Sequence, residues 1–128
     1  MIIENEKGEI LLVERKADPK KGYWDLPGGF IEPYETFEDS VKREIREELS
    51  IEIKIEKIVG VYNDTYLFQG VELPTLGVAV SAKIISGEPK ASDDISSYQF
   101  FPKTEILNQK IAFPSVSQAL SDYLTPTP

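Results

Sequence analysis

The stretch GGFIEPYETFEDSVKREIREELSI, Gly28 to Ile51, decides the fold. Its centre, Phe37 to Leu49, holds strong helix formers and neither Gly nor Pro. Thr36 stands ahead of it as an N-cap, with Asp39 three residues on as a weak form of the capping box. At about 100° per residue, Phe37, Val41, Ile45 and Leu49 make one apolar stripe. On the same projection Glu48 falls inside the stripe, Glu44 lies at its edge, and Glu47 lies further round on that side. These three are related as i, i+3 and i+4, so their side chains can converge.

Carboxylates beside a core-facing stripe are costly. At about 4 Å and an effective dielectric near 20, each like-charge pair costs about 4 kcal/mol. Such a cluster takes up protons or binds a cation. With only oxygen ligands on offer the cation is hard, Mg2+ or Mn2+. The competing reading is a solvated acidic helix. Two neighbours bear on the choice. Gly28 and Gly29 let the backbone approach a ligand or metal closely, or make an ordinary turn. Arg43 stands four residues before Glu47, where it can orient or partly neutralise the cluster.

Working outward, MIIENEKGEILLVER reads as a hairpin, with Ile2-Ile3, a polar turn over Asn5 to Gly8, and a strand from Ile10 to Arg15. Its first arm is short, either clipped or native to a chain that begins here. KADPKKGYWDLPGGF is rich in Pro, Gly and Lys and reads as loop. After the helix, Ile51, Ile53 and Ile55 alternate with charged residues in a half-buried strand. NDTYLFQGVELP holds a short strand or turn, TLGVAVSAKIIS a more continuous apolar strand, GEPKASDD a loop, and YQFF a brief strand. One helical turn is expected within Lys103 to Lys110, and a closing helix over Ser115 to Leu124. The order β-β-α-β-β-β-α predicts an α+β fold, a mixed sheet packed against helices.

The 128 residues suffice for one domain. No apolar run approaches the roughly 20 residues of a membrane span. There is no cysteine and no histidine, so disulfides, zinc-thiolate sites, cysteine nucleophiles and histidine bases are all excluded. The missing cysteines are compatible with a reducing cytosol, and a cytoplasmic location is the expectation. A net charge of −8 argues against non-specific nucleic-acid binding.

The helix and its approach resemble the Nudix signature, G-x5-E-x7-R-E-U-x-E-E-x-G-U, with U a bulky aliphatic residue. Gly29, Glu35, Arg43, Glu44, Ile45, Glu47, Glu48 and Ile51 match, and Ser50 replaces the last glycine. WDLPGGF also resembles the usual entry to that box. The resemblance implies a Nudix fold, a mixed β-sheet sandwiched between α-helices, over residues 1–128 as a single domain. It implies a divalent-metal-dependent pyrophosphohydrolase cleaving the diphosphate linkage of a nucleoside diphosphate joined to another moiety. Glu44, Glu47, Glu48 and a main-chain carbonyl near Gly29 would hold Mg2+ or Mn2+, with Arg43 and Glu35 as the pair that fixes them. Glu47, facing furthest from the stripe, is the first choice among the box residues for general base. Asp93 and Asp94 offer a further acid from the loop, or are simply solvated. Ser50 costs about 1 kcal/mol where Gly would permit a left-handed turn.

Around the box, Arg15 is placed as a substrate-facing cation or a surface charge, and Gly28 as a backbone contact. Tyr62, Tyr66 and Phe68 can stack on a base or ribose, or pack in core or surface strands, with Tyr66 the substrate-binding choice. Trp24 packs under the box or borders the substrate. A small-molecule nucleotide is the expected partner, without nucleic acid or membrane, and family habit implies a homodimer. The rival is a catalytically silent Nudix-fold sensor or scaffold, which typically lacks box glutamates. An isomerase of isopentenyl diphosphate type needs a cysteine that the chain lacks.

Overall fold

A computed structural model describes residues 1–92 and 95–126. Six strands and two α-helices follow in the order β1 (Ile2–Glu4), β2 (Ile10–Arg15), β3 (Trp24–Asp25), α1 (Phe37–Leu49), β4 (Glu52–Phe68), β5 (Val71–Ser86), β6 (Ile95–Phe101) and α2 (Pro114–Leu124). The turn expected within Lys103 to Lys110 is a single 3-10 turn, Ile106–Asn108. The sheet is mixed: β1 runs antiparallel to β2 and parallel to β5, while β3 and β6 both pair antiparallel with β2. Among the described residues no helix is long and apolar enough to cross a membrane.

Each face of the sheet carries one helix. The short β1 shows why, because Ile2 and Ile3 are both fully buried on opposite sides of the pleat. Ile3 joins Leu11, Val80 and the α1 stripe of Val41, Ile45 and Leu49. Ile2 joins Ile10, Leu12, Phe101 and the α2 residues Ala119 and Leu120. The helical periodicity of α1 is thus met by a core of matching width.

Two sequence expectations change. Loop residues 16–30 contain β3, because Trp24 and Asp25 pair with Glu14 and Val13. The supposed separate strand or turn over 63–74 is the far end of one continuous β4–β5 hairpin, in which Tyr66 pairs with Leu73 and Phe68 with Val71. It closes through Gln69 and Gly70, both at positive φ (49° and 80°), as a two-residue hairpin turn requires. Pro74 is tolerated because, among the described residues, this part of β5 pairs only with β4, leaving its other edge without a ladder to interrupt.

Candidate active site

α1 holds the glutamates of the signature, and its ends are built as the sequence indicates. The Thr36 hydroxyl accepts from Asp39 N (3.1 Å), capping the N-terminus. Ser50 adopts φ 59°, ψ 33° at the C-terminus, the left-handed conformation that Gly takes more cheaply, and its N–H donates to Arg46 O. An unforeseen element secures the same end. Ser92 Oγ donates to the carbonyls of Glu47 (2.6 Å) and Glu48 (3.0 Å), and Lys90 N donates to Leu49 O (2.9 Å). Loop 87–92 therefore satisfies the carbonyls that the last turn leaves open.

Arg43 is the hub of the glutamate cluster. Its Nε and Nη2 donate to the two oxygens of Glu35 (2.6 and 3.0 Å) in a bidentate fork. Nη1 donates to Glu44 (2.9 Å) and Glu47 (3.2 Å), and Nη2 also donates to Phe30 O (3.0 Å). The guanidinium holds the Glu35 carboxyl down to about 2, and these acids in turn raise Arg43. One side chain thus ties the loop after Gly29 to two of the three box glutamates.

The three glutamates sit in different surroundings. The Glu44 side chain is 17% exposed and the Glu47 side chain 51%. Burial, and then the neighbouring Glu44 carboxylate, push Glu48 up to about 8, against the lowering effect of the Met1 ammonium and a Gly28 backbone hydrogen bond. Among the described residues no three carboxylates gather closely enough to form a ready-made metal cage. Glu44 and Glu47 turn to Arg43 as their counterion, while burial and the Glu44 carboxylate disfavour the charged form of Glu48. The donor set still fits a hard divalent cation, with acidic oxygens on one helix and a backbone that comes unusually close. A Cβ on Gly29 would meet the Glu44 carboxylate, so the glycine lets the loop lie against that side chain as it stands.

A cleft of about 760 Å³ runs over this cluster, lined by Glu44, Glu48, Gly28, Gly29 and Phe30, with Arg15, Asp25 and Tyr66 among the rest. Arg15 reaches it already engaged. Its Nη1 donates to Asp25 (3.1 Å), its Nε donates to Pro19 O (2.7 Å), and its guanidinium lies 5.0 Å from the Phe113 ring centre. Asp25, which sequence reasoning passed over, is held above its ordinary value by burial. Its only sequence signal is its place after Trp24 at the entry to the box. Tyr66 reaches the cleft, whereas Tyr62 turns away and donates to Asp122 of α2 (2.7 Å). Trp24 packs edge-on against Phe101, 5.1 Å between centroids. Asp94, with Asp93, lies outside the described residues.

The NUDIX domain profile matches residues 1–121. This chain belongs to the NUDIX domain family. An ADP-ribose pyrophosphatase of Methanocaldococcus jannaschii is 36% identical over 123 residues, 96% of this chain and 69% of that protein. A MutT-like protein of Streptomyces ambofaciens is 41% identical over 64 residues, half of this chain and 40% of the relative. A NUDIX hydrolase from Nitrosomonas europaea superposes with a TM-score of 0.79 at 27% identity, covering 95% of this chain and 83% of the other. The mixed sheet between two helices is therefore a NUDIX fold, and the protein is a NUDIX-type hydrolase of phosphoric anhydride bonds.

Proposed function

We propose that the protein is a divalent-metal-dependent pyrophosphohydrolase that splits the diphosphate linkage of a nucleoside diphosphate joined to a second moiety, with ADP-ribose as the first compound to test. The observation that carries this reading is the Arg43 hub, which binds Glu35, Glu44 and Glu47 and through Glu44 meets a cleft also lined by Glu48 and Gly29. A silent sensor typically lacks box glutamates, and here Glu44, Glu47 and Glu48 are all present.

Glu44, Glu47 and Glu48, with the backbone at Gly29, are the residues that would hold Mg2+ or Mn2+. Such an ion, when bound, neutralises the diphosphate and makes a bound water more acidic. The chain supplies the rest. Arg43 holds Glu44 and Glu47 through one guanidinium nitrogen and so offsets their mutual repulsion. Glu47, the more solvent-open of these two, accepts the proton of the attacking water, and Asp94 is the second candidate for that role. Arg15, its charge shared with Asp25, together with Gly28 and Tyr66, contacts the substrate.

We further infer a homodimer built on the β4–β5 hairpin. By register Val61, Leu67, Leu76 and Val78 lie on one of its faces, each 41 to 70% exposed. From Ile58 to Val80 only Asp64 and Glu72 carry charge, so two copies of a strongly acidic chain can meet there with little repulsion. The cysteine-free composition fits a cytoplasmic site of action.

The deciding experiment is a panel of nucleoside diphosphate derivatives incubated with Mg2+ and with Mn2+, with products read by mass. Cleavage between the two phosphates of at least one compound is expected. No cleavage of any compound under either ion refutes the proposal.

A further inference from the structure

Phe30 follows the glycine pair of the signature loop and is 61% exposed. Its backbone is fixed, because its carbonyl accepts from Arg43 Nη2 (3.0 Å). Its ring meets the Tyr66 ring edge-on, 5.0 Å between centroids at 68°, and Tyr66 is backed by Phe68, 6.4 Å away at 24°. Tyr66 and Phe68 are themselves 43% and 50% exposed. Phe30 comes from the loop before α1 and the other two from the tip of the long hairpin, so the cluster exists only because the hairpin reaches over the cleft. Neither buried core cluster includes any of the three.

We propose that Phe30 and Tyr66 form the platform on which the nucleobase of the substrate stacks. This rests on the pyrophosphohydrolase reading above and assigns the base to one part of its cleft. Two rings from separate segments, meeting edge to face with much of their area open to water, present apolar surface that a planar heterocycle covers and a sugar or phosphate does not. Both rings line the cleft that holds Glu44 and Glu48, within reach of one nucleotide. Besides the box glutamates and Glu32 on the Phe30 loop, the polar lining is Arg15, Asp18 and Asp25 on β2, β3 and the loop between them. A substrate with its base on Phe30 and Tyr66 and its diphosphate over the glutamates leaves its second moiety to that polar lining. Arg43 couples the two functions, since the same guanidinium that orients the glutamates positions the Phe30 backbone.

The test is isothermal titration with two non-hydrolysable ligands in the presence of Mg2+: α,β-methylene-ADP, which carries a base, and methylenediphosphonate, which does not. Wild type, Phe30→Leu, Tyr66→Leu and Phe30→Tyr are compared. The preference of wild type for the base-bearing ligand is expected to fall about tenfold in each leucine variant, the scale of losing one stacking surface, and to be kept within about twofold by Phe30→Tyr. Substitution of the Phe30 side chain leaves its carbonyl contact to Arg43 in place, and its exposure keeps the folding penalty small. Equal weakening of both ligands, an unchanged preference, or a wild type that binds the two alike overturns the platform. Because binding is read without turnover, a chain that shows the preference but cleaves nothing would retain the platform and lose only the hydrolase reading.

Discussion

Replacing Glu48 by Gln separates the cost of the acidic cluster from its use. In the folded chain Glu48 is raised from 4.5 to about 8, chiefly by burial. The sign follows from the two protonation states. Below the unfolded value both states hold the proton and nothing is lost. As pH rises the unfolded chain ionises first, so stability falls until the folded carboxyl also ionises near 8. At about pH 7 the unfolded carboxyl has titrated through about 2.5 units that the folded one has not, an upper limit of about 3 kcal/mol at 1.36 kcal/mol per unit. Water penetration and side-chain relaxation reduce this to about 2 kcal/mol. Gln keeps the shape and removes the charge. Glu48→Gln is therefore expected to raise the metal-free melting temperature by about 6 °C near neutral pH for a chain of this size. It should also remove the part of the wild-type stability loss between about pH 4.5 and 8 that Glu48 causes. Millimolar Mg2+ should reverse the order, since an ion that binds only the folded wild-type site stabilises it by mass action. Melts followed by circular dichroism, in chelator and in Mg2+ at three pH values, provide the assay. A Glu48→Gln protein that melts below wild type in chelator at neutral pH would refute the argument, because it would mean that the ionised carboxylate stabilises the metal-free fold.

Other outcomes follow from the same geometry. Arg43→Lys cannot reproduce the fork that spans Glu35, Glu44 and Glu47, and is expected to lower Mg2+ affinity or kcat/KM by about 10- to 100-fold, read by titration and steady-state kinetics. Ser50→Gly relieves a left-handed residue at the end of α1 and should raise stability by about 1 kcal/mol in denaturant melts. Ser92→Ala removes a hydroxyl shared by the Glu47 and Glu48 carbonyls and should lower stability by about 1 kcal/mol, with activity falling if the pitch of the last turn matters. The double change Leu67→Lys with Leu76→Lys places charge on one face of the hairpin and should yield a monomer by light scattering; a wild type that is already monomeric rejects that interface.

α1 was legible from its own residues: its cap at Thr36, its buried stripe, the strained Ser50, and the inward phase that puts Glu48 at the core boundary. These are properties of one contiguous segment, and helical periodicity converts them directly into direction. The three glutamates of the helix and the glycine pair ahead of it were legible as well. What Arg43 would hold was legible only in part. The pairing with Glu35 came from the motif and the contacts to the glutamates from helix spacing, whereas the contact to Phe30 O needed the path of the loop. The hairpin was harder. Residues 63–74 read locally as a separate short strand or turn, yet cross-strand pairing from Gly60 to Phe68 runs through them, because a ladder is sustained by its partner strand and not by its own composition. Only that tertiary pairing carries Tyr66 to Phe30, and only the return of loop 87–92 closes the end of α1. Local propensity and periodicity act over neighbours in sequence, so they fix a helix and its acids. A cleft is made by distant segments meeting, and their meeting is decided by which surfaces the whole chain can bury together.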